Sequence, residues 1–237
     1  MSHLLETTGL QAFYGDAQAL FGVDVALRAG EITAVIGANG AGKSTFLKSI
    51  TGLVRVPGEA IRHKGDPIGG LPPAEIVRRG IAMVPEGRRL FPSLSVEENL
   101  QMGALTRRPG PWNLQRLYGM FPILEQKKRA PSTSLSGGQQ QMVALGRALM
   151  SNPDILLCDE LSLGLAPIVI REIYAAMPTI TAEGMTVVIV EQDVGLAQQV
   201  SQQVYCFQEG QVSLQGRSAD LTREQISQAY FGAEVAA

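Results

Sequence analysis

This 237-residue sequence has no excess of positive charge, few cysteines and no long apolar run. Its formal net charge of −2 provides no basic field for nucleic acid, so we expect no nucleic-acid partner. The two cysteines, Cys158 and Cys206, each lie within an apolar run, which predicts buried thiols rather than a disulfide framework. This cysteine usage fits a reducing compartment.

Targeting and membrane-spanning patterns are missing as well. Met1–Glu6 contains no basic stretch followed by an apolar one, so we expect no signal peptide. No apolar run approaches the roughly 20 residues that a helix needs to span a bilayer. We therefore expect a soluble, cytoplasmic protein that would act at a membrane only through a partner.

The hydrophobic pattern predicts an α/β protein with a helical insertion. Residues 4–31 alternate apolar and polar positions, which indicates antiparallel strands. Two nearly continuous apolar runs, Ile155–Cys158 and Thr186–Val190, are typical of parallel strands covered on both faces. The stretch that precedes Ile155 has helical character instead. The predicted limits are 1–237 for a single domain, 1–91 and 154–237 for its core, and about 92–153 for the helical subdomain.

One glycine-rich segment carries the clearest chemical signal. Residues 37–44 match the pattern G-x-x-x-x-G-K-[ST], the phosphate-binding P-loop, between an apolar strand and a helix. Small residues let successive N–H groups point at an anion, and the helix adds its positive dipole end. Lys43 supplies charge for the β- and γ-phosphates, and the Ser44 hydroxyl is a ligand for Mg²⁺. The predicted nucleotide-binding residues are Gly37, Asn39, Gly40, Ala41, Gly42, Lys43, Ser44 and Thr45.

A nucleoside triphosphate site is favoured here over a glycine-rich turn that binds nothing, because both the motif and its strand-to-helix context match. Downstream, the apolar run Ile155–Cys158 ends in two acids, Asp159 and Glu160. After a P-loop, Asp159 is placed to reach Mg²⁺ through its water shell. Glu160 points differently and could orient or deprotonate a water for attack on the γ-phosphate. The alternative is a pair of solvated acids at a strand end.

A second anion-binding pattern occurs in the helical segment. Leu135 is followed by Ser136, Gly137, Gly138 and Gln139 at the predicted start of a helix, where N–H groups and a hydroxyl can face an anion. An ordinary capped helix with a glycine-rich loop is the simpler interpretation. One nucleotide hardly needs two such sites from one chain. We therefore expect this site to serve a nucleotide held by a second copy or a paralogous chain.

These three motifs, in this order, resemble those of the ATP-binding cassette proteins, and the resemblance covers essentially the whole chain. It implies a RecA-like P-loop NTPase core, an antiparallel β subdomain and an inserted helical subdomain. It also implies a head-to-tail dimer in which two ATP molecules lie between the P-loop of one domain and the LSGGQ run of the other. By the same resemblance Tyr14 stacks on adenine. Without it, a tyrosine at a strand end would need no function, since aromatic residues are common in strands.

Several positions depart from the usual cassette pattern. Glu86 stands where a glutamine generally contacts Mg²⁺ and the membrane subunit, and Gln192 replaces the switch histidine. Glutamine can bond the γ-phosphate but cannot carry a proton, so the acid–base role falls to Glu160. Ala166 replaces an aspartate that many members have in the loop across the dimer. Leu161 restores an N–H and frees φ where proline is usual, so we expect a looser loop and an effect on turnover.

The runs Val84–Arg89, Ser162–Pro167 and Val190–Gln192 together resemble one branch, the ATPase subunits of branched-chain amino acid importers, and in particular the shorter of their two paralogous ATPases. The resemblance implies ATP hydrolysis at the cytoplasmic face of the inner membrane. The implied partners are a second ATPase subunit, two membrane permease subunits and, indirectly, a solute-binding protein. The implied catalytic residues are Lys43, Glu160 and Gln192, and those on the Mg²⁺ side are Ser44, Asp159 and Glu86.

Three alternatives remain at this stage. The same machine could carry urea or short amides, since close relatives share most of these motifs. A soluble cassette protein acting on ribosomes or DNA usually has two cassettes or a long coiled coil, with basic extensions that this chain lacks. A non-hydrolysing regulatory module is disfavoured because Lys43, Asp159 and Glu160 are all present.

Overall fold

The structure, a computed structural model, describes residues 3–231 and contains two β-sheets. Its strands are β1 (Leu5–Tyr14), β2 (Ala17–Leu27), β3 (Ile32–Ile36), β4 (Ile61–His63), β5 (Asp66–Pro67), β6 (Ile81–Val84), β7 (Ile155–Asp159), β8 (Thr186–Glu191), β9 (Gln203–Gln208) and β10 (Gln211–Arg217). Its α-helices are α1 (Lys43–Ile50), α2 (Pro73–Arg78), α3 (Val96–Gly103), α4 (Leu114–Met120), α5 (Pro122–Gln126), α6 (Gly137–Leu149), α7 (Pro167–Ala175), α8 (Met177–Ala182), α9 (Val194–Val200) and α10 (Arg223–Phe231).

The larger sheet has six strands in the order β10-β9-β3-β8-β7-β6, and only β10 is antiparallel to its neighbour. Every residue of β3, β7 and β8 is buried, as expected for parallel strands covered on both faces. The predicted runs at Ile155–Cys158 and Thr186–Val190 are confirmed as central strands. The carboxyl ends of β3, β7 and β8 lie side by side, which brings the chemistry that follows each strand to one edge.

The smaller sheet is antiparallel, in the order β2-β1-β4-β5, and it covers the P-loop side of the larger sheet. The antiparallel strands predicted in residues 4–31 are therefore confirmed. Inward-facing residues of β1 and β2 share one apolar cluster with helix α1 and strand β9. Within this cluster the rings of Phe46 and Phe207 lie 5.4 Å apart between centroids. This packing fixes the small sheet beside the first helix.

Helices α3 to α6 lie between β6 and β7 in the chain, where the sequence predicted a helical segment. They share a second apolar cluster with the opposite face of the large sheet, so one core continues into the helical segment. Ser95 and Glu98 form a capping box at the start of α3. Helix α7 ends at Ala175 and α8 begins at Met177, since Pro178 has no N–H with which to continue the ladder of helical hydrogen bonds.

None of the helices in residues 3–231 combines the length and apolar character that crossing a membrane requires.

Candidate functional site

The loop that joins β3 to α1 is built on glycines that no other residue could replace without strain. Gly37 has a φ of 154°, and a Cβ there would lie 2.3 Å from the carbonyl oxygen of Phe207. Gly42 has a φ of 99°, and a Cβ there would lie 2.8 Å from Leu20 Cδ2. Only glycine, which has no side chain, fits at these two positions, because the loop backbone passes close to neighbouring strands there. The P-loop sequence thus forms the strand–loop–helix turn that its pattern predicted.

Lys43 is buried inside this loop. Its Nζ donates hydrogen bonds to the carbonyl oxygens of Gly37, at 2.7 Å, and Ala38, at 2.9 Å. Burial lowers the pKa of the ammonium, and the nearby Glu160 and Asp159 carboxylates oppose that effect. Lys43 lines the same cavity as the loop residues Asn39, Gly40 and Gly42, and a positive charge there is suited to bind a phosphate group.

A cavity of about 740 Å³ opens over the loop. Its size falls within the roughly 300–1,000 Å³ range of small-ligand sites. It brings together residues from the P-loop, from the ends of β6, β7 and β8, and from both sheets. The residues lining it are Gln18, Ala19, Phe21, Asn39, Gly40, Gly42, Lys43, Ser44, Thr45, Glu86, Glu160, Leu163, Gln192, Glu209 and Gly210. Six of the eight predicted P-loop residues therefore line one cavity with Glu86, Glu160 and Gln192, while Gly37 and Ala41 are not among its lining residues.

The carboxylates of Asp159, Glu160 and Glu86 lie near the P-loop at the end of the large sheet. Ser44 Oγ donates a hydrogen bond to Asp159 Oδ1 at 3.2 Å, and Asp159 is buried. Burial raises the pKa of Asp159, with further increases from the Glu160 and Glu86 carboxylates, while the Ser44 hydroxyl and the Lys48 ammonium lower it. Within the described residues no group of three or more His, Cys, Asp or Glu side chains is placed to hold a metal ion by itself. Ser44 Oγ and the Asp159 carboxylate are hard oxygen donors, and Mg²⁺ is usually held by one or two carboxylates together with substrate phosphates. This pair therefore fits Mg²⁺ bound jointly with a phosphate group.

Glu160 and Gln192 lie against each other at the edge of the cavity. Gln192 Nε2 donates a hydrogen bond to Glu160 Oε1 at 2.9 Å. Glu160 has a φ of 52°, in the left-handed region that side chains rarely adopt, and its N–H donates to the carbonyl oxygen of Val190 at 3.0 Å. The unusual backbone therefore turns Glu160 out of the strand and toward the cavity. Such conformations cluster at functional sites.

The loop that carries Glu86 is held from the helical segment. After Glu86 the chain passes through left-handed conformations at Arg88 and Arg89, with φ of 64° and 46°. Arg147 of α6 donates hydrogen bonds to both of their carbonyl oxygens, at 3.1 and 2.8 Å. Its guanidinium also lies 5.4 Å from the centre of the Phe91 ring. One side chain of α6 thus fixes the loop beside the acids.

Tyr14 lies at the rim of the site, near the start of α1. Its hydroxyl and Thr45 Oγ1 are 3.4 Å apart, and half of its surface is exposed. An exposed ring at this place is available for stacking on a flat ligand group. Phe21, Glu209 and Gly210, which also line the cavity, were missed by the sequence analysis. No sequence signal identifies them, because the β9–β10 turn reaches the site only through the packing of the two sheets. At this contact Phe21 N–H donates a hydrogen bond to the Gly210 carbonyl oxygen at 2.9 Å.

The structure does not bring the second anion-binding pattern to this cavity. Ser136 caps α6 and forms a capping box with Gln139, with Gln139 N–H to Ser136 Oγ at 3.3 Å and Ser136 N–H to Gln139 Oε1 at 3.1 Å. Gly137 lies beside the Arg88 side chain, while Gly138 packs on Val169 of α7. Ser136 and Gln139 are not among the residues that line the P-loop cavity.

The sequence has close counterparts among known proteins. Residues 20–162 match the family model described as ABC transporter. The chain is 41% identical over 232 residues to the high-affinity branched-chain amino acid transport ATP-binding protein BraG of Pseudomonas aeruginosa, covering 97% of this chain and 100% of that protein. It is 34% identical to the probable branched-chain amino acid transport ATP-binding protein LivF of Archaeoglobus fulgidus, covering 92% and 94%.

Solved structures agree with these matches. A nucleotide-free ATP-binding cassette from an ABC transporter superposes with a TM-score of 0.82 at 26% identity, covering 96% of this chain and 94% of that one. A dimeric cassette in a post-hydrolysis state, bound to ADP and Pi, gives a TM-score of 0.80 at 25% identity, covering 90% and 98%. The chain therefore belongs to the ABC transporter family, as an ATP-binding subunit with ATPase activity.

Proposed function

We propose that the chain is the ATP-hydrolysing subunit of an importer for branched-chain or related amino acids. The observation that carries the hydrolytic part is the single cavity in which the P-loop, Glu160 and Gln192 meet. The cargo class is supported by the names of the relatives BraG and LivF, which cover nearly the whole chain.

Phosphate binding falls to the P-loop in this proposal. The loop N–H groups and the Lys43 ammonium would bind the β- and γ-phosphates, and Tyr14 would stack on the adenine ring. Ser44 and Asp159, which already touch each other, would hold Mg²⁺ with Glu86 nearby. When bound, the metal supplies positive charge that offsets the charge of the phosphates.

Hydrolysis falls to Glu160. A carboxylate at the cavity edge can orient a water molecule and accept its proton during attack on the γ-phosphate. Gln192 cannot take up a proton, so its role is to fix the Glu160 carboxylate and to donate a hydrogen bond to the phosphate. This division assigns proton transfer to one residue only.

A second ATPase subunit would complete the site. The exposed capping box at Ser136–Gln139 lies away from the P-loop cavity of its own chain. In a head-to-tail dimer it would cover the nucleotide of the partner, which is a paralogue or a second copy. Closure would move two membrane permease subunits that receive solute from a binding protein, with the ATPase on the cytoplasmic face of the inner membrane.

The first test is the ATPase activity of the full chain and of Glu160→Gln. We expect the variant to bind ATP, to accumulate as a dimer and to lose turnover by roughly 10²- to 10⁴-fold. Unchanged steady-state activity would overturn the assignment of Glu160.

The second test concerns the cargo. The chain is co-purified with its membrane partners and reconstituted with the solute-binding protein. We expect leucine, isoleucine or valine on the binding protein to stimulate ATP hydrolysis. Stimulation by urea or short amides alone would replace the proposed cargo while leaving the ATPase assignment intact.

A further inference from the structure

Glu191, the last residue of β8, is a buried carboxylate that points away from the nucleotide cavity. Only 1% of its surface is exposed. It accepts a hydrogen bond from the Ser162 N–H at 3.2 Å, and further hydrogen bonds from the Ser162 hydroxyl and the Tyr174 hydroxyl. A buried acid with three donors from another segment is costly to build, because burial without those donors would strongly disfavour its charge.

The donors come from the segment that connects β7 to β8. Ser162 lies two residues after Glu160, in the loop that leads to α7, and Tyr174 lies on α7 itself. The same loop is closed by hydrogen bonds from Leu163 N–H to the Glu160 carbonyl, at 3.3 Å, and from Leu165 N–H to the Ser162 carbonyl, at 3.1 Å. The hydrogen bonds that Glu191 accepts from Ser162 and Tyr174 therefore link the end of β8 to the loop before α7 and to α7 itself.

The neighbours of these hydrogen bonds are the groups assigned to hydrolysis. Gln192 follows Glu191 directly in the chain. Its side chain donates a hydrogen bond to Glu160, which lies two residues before Ser162. While Ser162 is turned inward to Glu191, Leu163 is half exposed and lines the nucleotide cavity. Loss of the hydrogen bonds to Glu191 would thus move Glu160, Gln192 and the loop together.

We propose that Glu191 is a positioning residue for hydrolysis, which holds Ser162 and the following loop in register with the Glu160–Gln192 pair. This inference rests on the proposed role of Glu160. The competing possibility is that the cluster only stabilises the fold. The two differ in prediction, since a purely stabilising cluster would affect thermal stability without a selective effect on turnover.

The conservative replacement separates a geometric role from a requirement for charge. In Glu191→Gln the remaining carbonyl oxygen can still accept from Ser162 N–H and Tyr174 O–H, and the new amide can donate to the Ser162 hydroxyl. The three hydrogen bonds then persist, but the negative charge of position 191 is lost. In Glu191→Ala all three donors lose their acceptor in a buried place.

The experiment measures kcat and KM for ATP with the full chain, alongside thermal unfolding. We expect Glu191→Ala to lower kcat by roughly ten- to a hundredfold, since small displacements of catalytic groups have effects of this size. We expect its KM to stay within about twofold of the wild-type value, because the P-loop is untouched. Glu191→Gln should keep most of the wild-type kcat.

Two further variants keep the test valid if Glu191→Ala does not fold. Tyr174→Phe removes one donor and should lower kcat with little change in KM. Its matched control is Tyr205→Phe, which removes another buried hydroxyl, one that bonds the backbone of Ala26 away from the site. The control should lose stability to a similar degree and keep its kcat.

The outcomes distinguish this inference from the proposed function. If Glu160→Gln is inactive while Glu191→Ala and Tyr174→Phe keep the wild-type kcat, the inference is wrong and the site stands. An equal loss of kcat in Glu191→Ala and Glu191→Gln also overturns it. If Glu160→Gln retains turnover, both the assignment of Glu160 and this inference fail.

Discussion

The side-chain amide of Gln192 donates a hydrogen bond to the carboxylate of Glu160, with 2.9 Å between Gln192 Nε2 and Glu160 Oε1. The amide fixes the carboxylate but cannot exchange a proton with it. We expect Gln192→Ala to lower kcat by about tenfold, the effect of losing one hydrogen bond to a charged group. Glu160→Gln should be the more damaging change. Steady-state ATPase assays compare the two variants directly.

Gln192→Glu is the matched control for this pair, because it keeps the shape and replaces the donor by a second carboxylate. Two carboxylates at this separation repel each other, so we expect a lower kcat than in Gln192→Ala. A complete loss of turnover in Gln192→Ala would contradict the division of roles. It would show that contact of Gln192 with the γ-phosphate is essential.

A second prediction concerns the two glycines at the start of α6. A Cβ on Gly138 would lie 2.5 Å from Val169 Cγ1, so Gly138→Ala must push α6 away from α7. We expect a loss of roughly 1–3 kcal/mol in unfolding free energy, the usual cost of overpacking. A Cβ on Gly137 would lie 3.1 Å from the flexible end of Arg88, so Gly137→Ala should leave stability nearly unchanged. Thermal unfolding of both variants checks the difference.

The contact with Val169 also predicts a rescue. Val169→Ala removes the methyl groups that the new side chain would meet, so the double variant with Gly138→Ala should recover most of the lost stability. Equal melting temperatures for Gly137→Ala and Gly138→Ala would contradict this view of the packing. Failure of the rescue would place the strain elsewhere in the helix.

Local patterns in the sequence predicted much of the site because its chemistry follows strand ends. The P-loop follows β3 and the Asp159–Glu160 pair ends β7, and each is recognised from its own neighbours in the chain. The capping boxes at Ser95 and Ser136 are equally local, since each residue bonds the third residue after it. Short-range hydrogen bonding explains why these features could be predicted.

Features that depend on distant contacts could not be predicted in this way. Glu191 meets Ser162 across 29 positions and Tyr174 across 17, so no window of sequence contains the cluster. Phe21 reaches the cavity because its strand bonds Gly210 in the turn of another sheet. Their positions follow from sheet order and packing, which periodicity alone does not specify.

Tyr14 gives a prediction about nucleotide affinity. Half of its surface is exposed beside Thr45, which leaves the ring free to stack on a base. We expect Tyr14→Ala to weaken ATP binding by about tenfold, near the lower end of the ~1–3 kcal/mol attributed to stacking on an aromatic side chain. Equilibrium titration with ATP measures this effect.

Tyr14→Phe separates the ring from its hydroxyl. The ring is kept and only the 3.4 Å contact with Thr45 Oγ1 is lost, so affinity should remain close to that of the wild type. If Tyr14→Phe loses as much affinity as Tyr14→Ala, the hydroxyl is the important group and the stacking role is wrong.

The last prediction concerns a histidine outside the nucleotide site. His63 of β4 is buried, and its Nε2 has no hydrogen-bond partner within the described residues. The pKa of His63 is lowered from 6.5 to about 4, mainly by burial and in part by the cations of Lys64, Arg108 and Arg79, while Asp154 opposes the decrease. The folded protein therefore disfavours protonation of this ring.

The sign of the resulting pH dependence follows from linkage. Between about pH 4 and pH 6.5 the unfolded chain binds more protons at His63 than the folded chain, so stability falls as the pH drops through this window. The whole titration amounts to on the order of 2–4 kcal/mol. We expect His63→Gln to remove this part of the slope in chemical denaturation measured from pH 7 to pH 4, whereas the matched control His3→Gln should keep it. His63→Gln removes the buried ring and His3→Gln does not. If the dependence of unfolding free energy on pH is the same in His63→Gln as in the wild type, groups other than His63 determine the stability in acid.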